Sequence, residues 1–419
     1  MVLDLEAIRA KFPALSSGDV ILDNPGGTQV PRGVTDRIVR YLHETNANHG
    51  GAFGASRSSD AVVAQARGAV ADFLGAARPE EVAFGPNMTT LTFQVARSLS
   101  RDWKPGDEVV VTRLDHDANV SPWLLAAADR GATVRWLDFD PDDCTWSVEE
   151  LKGLLCERTK LVAVGWASNS VGTVNDVASA AEAAHAAGAL VYVDAVHYAP
   201  HGPIDVAAAG IDFLACSAYK FFGPHLGILW GRHDLLERTF AYKVRSAGDA
   251  PPDRWETGTQ SFEAVAGTLG ALEYLAWVGE RFGGGAHDGL AARHAGRRLS
   301  LMSAMSTIRA YEETLSRALA EALAVVPGLR VRGITDPIRF GERVPTFSFT
   351  LEGRHPREVA AELGRRGFRV WDGNYYAVGI TERLGLEATG GMVRVGAVHY
   401  NTADDIRLLG AALRDLARG

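Results

Sequence analysis

Cysteine is scarce in this sequence, which has only Cys144, Cys156 and Cys216 among its 419 residues. An odd number of cysteines without metal-ligand spacing argues against a disulfide framework and against zinc or iron–sulfur sites. The sequence therefore fits a reducing compartment, and no metal centre is predicted.

Two further features are lacking, a long apolar run and a block of charge of one sign. Residues 1–9 contain no basic region followed by an apolar core, and no later run is long enough to cross a bilayer. The net charge of -8 is dispersed, which argues against nucleic acid or an anionic membrane as a partner. We therefore expect a cytoplasmic protein that binds small molecules and neither nucleic acid nor membrane.

The sequence is 47% hydrophobic, which is typical of a globular protein. Its length of 419 residues is typical of a chain with two domains. Residues 1–20 are predicted to form a segment that packs with the small domain, and residues 21–285 a large domain. Residues 286–419 are predicted to form the small α+β domain, with strands near 344–351 and 392–398 and helices at 356–366 and 403–416.

Short β-rich runs alternate with helical stretches in the large domain. Several runs are nearly continuous in apolar residues, as in strands that are buried on both faces of a parallel sheet. The pattern predicts an α/β fold with a doubly wound, mostly parallel, seven-stranded sheet, whose ligand lies beyond the carboxyl ends of the strands. The predicted strands are residues 81–84, 108–112, 133–139, 160–166, 189–194, 213–217 and 227–230.

Lys220 lies in the apolar and aromatic stretch 212–224, directly after one of these strands. Because a buried charged amine is costly, this lysine either reaches water or takes part in chemistry. Asp194 ends the preceding strand and places a carboxylate at the same edge of the sheet.

Other polar residues follow strands at that edge. Thr89 opens a helix after a strand, where free N–H groups suit a phosphate, although threonine is also a common helix cap. His116 is placed either to stack on a flat ring or move protons, or to bond the neighbouring Asp115 or Asp117. Asn169 is suited to a phenolic oxygen, to a carboxylate, or to capping its own turn.

Together these residues fit the needs of pyridoxal phosphate. An enzyme that uses this cofactor needs a lysine, a carboxylate for the pyridine nitrogen, a phosphate site and a stacking group. Ser217 is predicted near the phosphate, whereas the alternation of the strand directs Cys216 to the opposite face, into the core.

From about residue 18 to 415 the sequence resembles the class V aminotransferases of fold type I, in their cysteine desulfurase and selenocysteine lyase branch. The resemblance is most specific at residues 193–197 and 213–224. It implies that Lys220 bonds the cofactor and moves the Cα proton, that Asp194 pairs the pyridinium nitrogen, and that His116 stacks over the ring. It also implies that Asn169 lies near the phenolic oxygen and the substrate carboxylate, and that Arg394 grips this carboxylate.

The resemblance also implies a fuller binding set and a homodimer. The implied cofactor-binding residues are Met88, Thr89, His116, Asn169, Asp194, His197, Ser217, Tyr219, Lys220 and Thr259. Thr259, in the segment 254–259, would reach the phosphate site of a partner subunit. The implied substrate-binding residues are Asn24, Asn169, Arg394 and Tyr376.

The sequence departs from the desulfurase pattern at several positions. Residues 370–379, which match the loop that carries the persulfide cysteine in desulfurases, contain no cysteine. Tyrosine cannot replace a thiolate nucleophile, so persulfide transfer is not expected. Met88, His197 and Tyr219 stand where the branch usually has threonine, glutamine and histidine.

We therefore expect a pyridoxal-phosphate-dependent lyase that acts on an amino acid and eliminates a sulfur-containing or similar leaving group without a persulfide intermediate. A class V aminotransferase or an amino-acid epimerase is the alternative on the same scaffold. A cofactor-binding protein that has lost catalysis is the alternative from another class.

Overall fold

The computed structural model describes residues 3–418, in which helices and strands alternate along the chain. The α-helices are α1 Leu5–Arg9, α2 Arg32–Arg40, α3 Gly54–Leu74, α4 Met88–Leu99, α5 Ser121–Arg130, α6 Val148–Leu154, α7 Val177–Ala186, α8 His233–Arg238, α9 Phe262–Phe282, α10 Gly284–Leu290, α11 Gly296–Ala324, α12 Pro356–Arg365, α13 Val378–Arg383 and α14 Ala403–Arg418. The strands are β1 Val20–Ile21, β2 Val82–Gly85, β3 Glu108–Thr112, β4 Thr133–Leu137, β5 Thr159–Gly165, β6 Leu190–Asp194, β7 Phe213–Ser217, β8 Gly227–Gly231, β9 Leu329–Arg332, β10 Thr346–Leu351, β11 Phe368–Arg369, β12 Trp371–Gly373 and β13 Met392–Gly396.

The predicted seven-stranded sheet is confirmed. Within residues 3–418 its strands join in the order β2-β8-β7-β6-β5-β3-β4, and β8 alone runs antiparallel to its two neighbours. Helices cover both faces, which explains why strands such as β3 and β7 are apolar almost throughout and fully buried. The carboxyl ends of β5, β6 and β7 meet at one edge, as the sequence predicted.

The two faces of β7 contribute to different hydrophobic clusters. Phe213 and Ala215 pack in one cluster, while Leu214 and Cys216 pack in the other. Cys216 has no solvent exposure, so the prediction that its thiol belongs to the core is confirmed.

The small domain is built on a second sheet, with the order β12-β13-β10-β9 and antiparallel pairing throughout. Its core contains apolar side chains of β10 and β13 together with α12 and α14. The helix α11, 29 residues long, belongs to both domains, because Ile308 packs in the large core and Leu315 in the small one. The helix therefore passes from the large core to the small core between Ile308 and Leu315, downstream of the predicted domain boundary at residue 286.

The N-terminal segment lies against both domains; of the predicted segment 1–20, the structure describes residues 3–20. The ring of Phe12 contacts Phe222 and Tyr274 of the large domain and Tyr400 beyond it, with the Tyr400 ring centroid 4.9 Å away. Val20 pairs with Phe368 in the short parallel sheet β1-β11. The segment thus joins the two domains at a second place besides α11.

The helix α9 is buried along most of its 21 residues, because α2, α3 and α11 pack around it. The glycine-rich run after it forms α10. Among the helices of residues 3–418, none has both the length and the apolar character that a membrane crossing requires.

Candidate active site

A cavity of about 890 Å³ lies at the carboxyl ends of β5, β6 and β7 and faces the small domain. The domains are joined here, so residues that are distant in sequence share its wall. Eleven of the thirteen predicted site residues line it: Met88, Thr89, His116, Asn169, Asp194, His197, Ser217, Tyr219, Lys220, Tyr376 and Arg394.

Lys220 ends a short 3-10 turn that follows β7, and its Nζ donates a hydrogen bond to the carbonyl oxygen of Pro25. Burial, together with the positive charge of Arg394, lowers the pKa of the Lys220 amine to about 7. The carboxylate of Asp194 opposes this shift but does not cancel it. A substantial fraction of the amine is therefore neutral near pH 7, the form that can act as a nucleophile.

Asp194 ends β6 and is buried, and its Oδ1 accepts a hydrogen bond of 2.8 Å from the N–H of Val196. Burial raises the pKa of this carboxyl to about 7, and the nearby Asp115 adds to the shift. A cation placed against Asp194 would restore its charged form, which suits a protonated ring nitrogen. The residues present therefore fit this end of the predicted cofactor.

The sequence analysis did not assign Asp115 to the site, although this residue lines the cavity. Its carboxylate is buried and accepts hydrogen bonds from Thr112 (2.7 Å) and Asn119 (2.8 Å). The sequence suggested Asp115 only as a hydrogen-bond partner for His116. Its position next to His116, in a segment that follows a strand, was the one signal that it could line the site.

His116 bonds neither of the flanking aspartates that the sequence offered. Its Nδ1 accepts a hydrogen bond of 3.0 Å from the N–H of Ala118, so the ring is neutral with its proton on Nε2. Burial lowers the pKa of His116 to about 4, and the charges of Lys220 and Arg394 act in the same direction. The imidazole is thus a neutral flat ring in the cavity wall, a form suited to stacking.

The predicted anion site falls at the start of α4. Asn87 caps the helix by accepting a 2.8 Å bond from the N–H of Thr90, and the N–H of Met88 donates to Ser217 Oγ at 3.2 Å. The first helical turn leaves the Thr89 N–H without an intrahelical acceptor, which suits a phosphate oxygen. Gly227 is required here, because a Cβ at this position would lie 2.4 Å from the carbonyl carbon of Asn87.

The Met88 side chain does not face the site as a ligand. It is buried in the hydrophobic cluster on that face of the sheet, and its sulfur accepts a bond of 3.4 Å from Thr92. Met88 therefore supplies its main-chain N–H to Ser217 Oγ, while its side chain packs in this cluster.

Arg394 and Asn169 form a paired group on the opposite wall. Arg394 is 4% exposed, donates from Nη1 to the Asn169 carbonyl at 2.8 Å, and lies 4.3 Å above the Tyr375 ring. The Asn169 amide donates to the Tyr375 carbonyl at 3.0 Å and does not cap its own turn. Within residues 3–418, Arg394 Nε and Asn169 Oδ1 have no hydrogen-bond partner, and Arg394 forms no ion pair. Unpaired buried groups of this kind fit a ligand that carries a carboxylate.

His197 and Tyr219 line the cavity beside these residues. The buried His197 bonds Thr346 Oγ1 through Nε2 at 3.0 Å, and burial lowers the pKa of its imidazole well below the usual value. The Tyr219 ring stacks on His225 at a centroid distance of 4.9 Å, and the Lys220 amine lies 4.9 Å from its centre.

The mouth of the cavity is formed by residues 371–376. Tyr375 and Tyr376 have φ values of 56° and 60°, which are uncommon for residues with side chains. The Asn374 side chain accepts from the N–H of Tyr376 at 3.1 Å and stabilises this turn. The Tyr376 ring is 73% exposed and stacks on His116, with centroids 5.7 Å apart.

Trp371, Asp372 and Glu387 are among the further lining residues that the sequence analysis did not assign to the site. Trp371 and Asp372 belong to β12, a strand too short to show alternation. Glu387 is tied to the mouth by a 2.9 Å bond from the Asn374 amide. The one sequence signal for Trp371 and Asp372 was their position a few residues before Tyr375 and Tyr376.

Two predicted site residues lie outside the cavity wall. Asn24 is buried and its amide donates to the carbonyl of Gly396 at 2.7 Å and to Asn401 Oδ1 at 3.1 Å, while its oxygen accepts from Tyr400. These bonds use the polar atoms of Asn24 to join the domains, and the predicted contact of Asn24 with substrate stays a prediction. Thr259 lies in an exposed loop after Trp255 and Glu256, which anchor the segment.

The wall of the cavity contains no cysteine among residues 3–418. Cys144 and Cys216 are buried in hydrophobic clusters, and Cys156 lies at the partly buried end of the α6 region. Burial raises the pKa of the Cys144 thiol to about 12, so this side chain stays protonated at neutral pH.

Comparison with known sequences identifies one family. The model of the family described as aminotransferase class-V matches residues 20–409. The chain is 34% identical to a probable cysteine desulfurase of Mycolicibacterium paratuberculosis, an alignment that covers 100% of this chain and 59% of that protein. It is 32% identical to the aminotransferase-like protein FGM3 of Gibberella zeae, covering 98% of this chain and 97% of the relative. The chain spans between 59% and 66% of the length of three curated relatives.

Solved structures share the fold. The crystal structure of the cysteine desulfurase CsdA from Escherichia coli is similar with a TM-score of 0.82 and 27% sequence identity. That likeness covers 100% of this chain and 99% of the other. The fold type I architecture expected from the sequence is therefore confirmed.

The pKa of Lys220 predicts how pH controls uptake of pyridoxal phosphate by the cofactor-free protein. Because the lowered pKa is about 7, the neutral amine is already in the majority just above neutral pH. We expect the rate of covalent incorporation, followed by absorbance, to rise between pH about 6 and 8 and then to level off. A rate that keeps rising to a midpoint near the ordinary lysine pKa of 10.5 would contradict this placement of the amine.

Proposed function

We propose a function from the premise that this chain belongs to the class-V aminotransferase family of pyridoxal-phosphate-dependent enzymes. It acts on an amino acid as a cysteine desulfurase-like lyase and eliminates a sulfur-containing or similar leaving group without passing sulfur to a thiol of its own. The observation that carries the proposal is a cavity wall that joins Lys220, Asp194 and Arg394 but contains no cysteine in residues 3–418.

The cofactor is pyridoxal 5'-phosphate, which when bound supplies an electron sink for bonds at the amino-acid Cα. Lys220 would hold it covalently, and Asp194 would pair with its ring nitrogen. His116 would stack on the ring, and the Thr89 N–H with Ser217 would bind the phosphate. We propose these roles because all of these groups line one cavity, and because Lys220, Asp194 and His116 have suitable protonation states there.

Arg394 and Asn169 would bind the substrate. The planar guanidinium of Arg394 matches a carboxylate, and its Nε is free to donate. Asn169 would fix the orientation of the Arg394 guanidinium, because the main-chain oxygen of Asn169 already accepts a hydrogen bond from Arg394 Nη1. A substrate held in this way presents its Cα toward the Lys220 side of the cavity.

Lys220 Nζ would then move the proton at Cα. Its lowered pKa allows the amine to accept a proton near neutral pH and to return it, as a general base and acid must. His116 stays neutral over the same range, so it does not compete for this proton.

The fate of the leaving group separates this chain from a persulfide-forming enzyme. Persulfide transfer needs a thiolate within reach of the substrate sulfur. The mouth of this cavity offers Tyr376 and Trp371, and burial keeps the Cys144 and Cys216 thiols protonated in the core. We therefore propose release of the leaving group to solvent.

We also propose that two copies of the chain form a homodimer, with Thr259 directed at the partner's phosphate site. The support is the exposure of this loop and the anchoring of its stem by the ion pair between Glu256 and Arg67, 2.7 Å long. The cytoplasmic location stays a prediction from the sequence.

An amino-acid panel tests the proposed reaction. Holoenzyme incubated with cysteine, cysteine sulfinate and S-conjugates of cysteine should release ammonia, pyruvate or alanine, and free sulfur products, with no sulfur bound to the protein. Conversion of bound cofactor to its amine form would indicate an aminotransferase instead, and inversion at Cα without release would indicate an epimerase. No release of a leaving group across the panel would overturn the proposal.

Replacement of Arg394 tests the carboxylate site. In Arg394→Ala the loss of charge-assisted bonds should raise KM for the best amino acid by about 10- to 100-fold. The absorbance of the bound cofactor should stay unchanged, because Arg394 is not assigned to hold it. Arg332→Ala, in the same sheet but outside the cavity wall, is the matched control. An unchanged KM in Arg394→Ala would mean that the carboxylate is bound elsewhere.

A further inference from the structure

We propose that Arg343 is a positioning residue of this site: its guanidinium fastens the loop of residues 168–173 to the start of β10 and so sets the positions of Asn169 and Arg394. This inference rests on the proposed function, because it concerns the recognition of a substrate carboxylate.

The Arg343 side chain is unusual in being a buried cation, 2% exposed, that binds only main-chain oxygens. It donates to the carbonyls of Thr346 (2.6 Å), Val171 (3.2 Å), Val344 (3.4 Å) and Ile334. Its guanidinium carbon lies 3.4 Å from the ring centre of Phe347. Within residues 3–418 it forms no ion pair with a carboxylate.

One of these bonds crosses the boundary between the domains, namely the 3.2 Å bond to the Val171 carbonyl, while the Ile334, Val344 and Thr346 carbonyls lie on the same side as Arg343. Val171 belongs to the loop that follows β5 of the large sheet, whereas Thr346 begins β10 of the small sheet. The same boundary is held by the Val344 N–H, which donates to the Gly172 carbonyl at 2.8 Å, and by the Ser348 hydroxyl, which donates to the Ser170 carbonyl at 2.6 Å. Gly172 has a φ of 81°, and a Cβ there would lie 2.5 Å from the Thr346 oxygen.

The fastened loop carries half of the candidate carboxylate site. Asn169 lies two residues before Val171, and its carbonyl oxygen accepts the bond from Arg394 Nη1 at 2.8 Å. Arg394 belongs to β13, which pairs with β10 at Ser348. Arg343 therefore holds together the two elements whose separation decides whether Asn169 and Arg394 can act on one ligand.

Arg343 also supports a second wall of the cavity. The residue whose carbonyl receives its 2.6 Å bond, Thr346, uses its hydroxyl to bond His197 Nε2 at 3.0 Å. Lysine cannot reproduce this arrangement, because its ammonium is a compact group without the planar fork that reaches several carbonyls at once.

The test compares two ligands that differ only in the α-carboxylate. L-Alanine and ethylamine are titrated into holoenzyme, and binding is followed by the absorbance of the cofactor. We expect Arg343→Lys to weaken binding of L-alanine by about tenfold relative to ethylamine, with the cofactor retained. Arg298→Lys is the control, since Arg298 is a partly buried arginine that binds the Asp72, Phe73 and Ile204 carbonyls, and also the Asp205 carboxylate, away from the cavity. It should lower stability and leave the ratio of the two affinities unchanged.

Ser348→Ala provides a milder second variant that removes one bond from the same boundary. It should reduce the preference for L-alanine by about threefold. An unchanged ratio in Arg343→Lys, or in Arg343→Gln if Arg343→Lys does not fold, would overturn the role of Arg343 alone. A wild-type protein that binds L-alanine no better than ethylamine would overturn the proposed carboxylate site, and the role of Arg343 with it.

Discussion

The site depends on the burial of one amine. Lys220 follows β7 into a cavity where removal from water and the charge of Arg394 lower its pKa to about 7, and the single carboxylate of Asp194 does not restore it. A lysine kept in this state is unfavourable for folding, because burial of a cation costs free energy that a solvated lysine does not lose, and such costs are typical of functional sites. The remaining walls of the cavity are arranged around that neutral amine, with flat and anion-binding groups on one side and Arg394 on the other.

The joining of two domains makes this arrangement possible. The large sheet supplies Lys220 and Asp194, and the small sheet supplies Arg394, so neither domain contains the site by itself. The continuous helix α11 and the buried Arg343 hold the two domains in a fixed relative position. Asn24 serves the same purpose, since its hydrogen bonds connect residues near the N-terminus with Gly396 and Asn401.

The sequence predicted the parts that follow from local pattern. Continuous apolar runs identified the strands of the large sheet, and the rule that ligands lie at strand ends led to Lys220, Asp194, His116 and Asn169. It failed where long-range packing decides. Three hydrogen-bond partners of Asn24 are more than 370 residues away in sequence, so its bonds between the domains have no local signal. Trp371 lies in a strand of three residues, which has no detectable period, and the role of Arg343 depends on carbonyl groups whose positions only the fold defines.

The most direct measurement of the central claim is the absorbance spectrum of Lys220→Ala purified with pyridoxal phosphate. We expect the wild-type protein, and the control Lys243→Ala, to show the band of covalently held cofactor. Lys243 lies outside the cavity wall and pairs with Asp249 at 2.9 Å. The band should be lost in Lys220→Ala. A band that survives this substitution unchanged, or that is absent from the wild-type protein, would contradict the account.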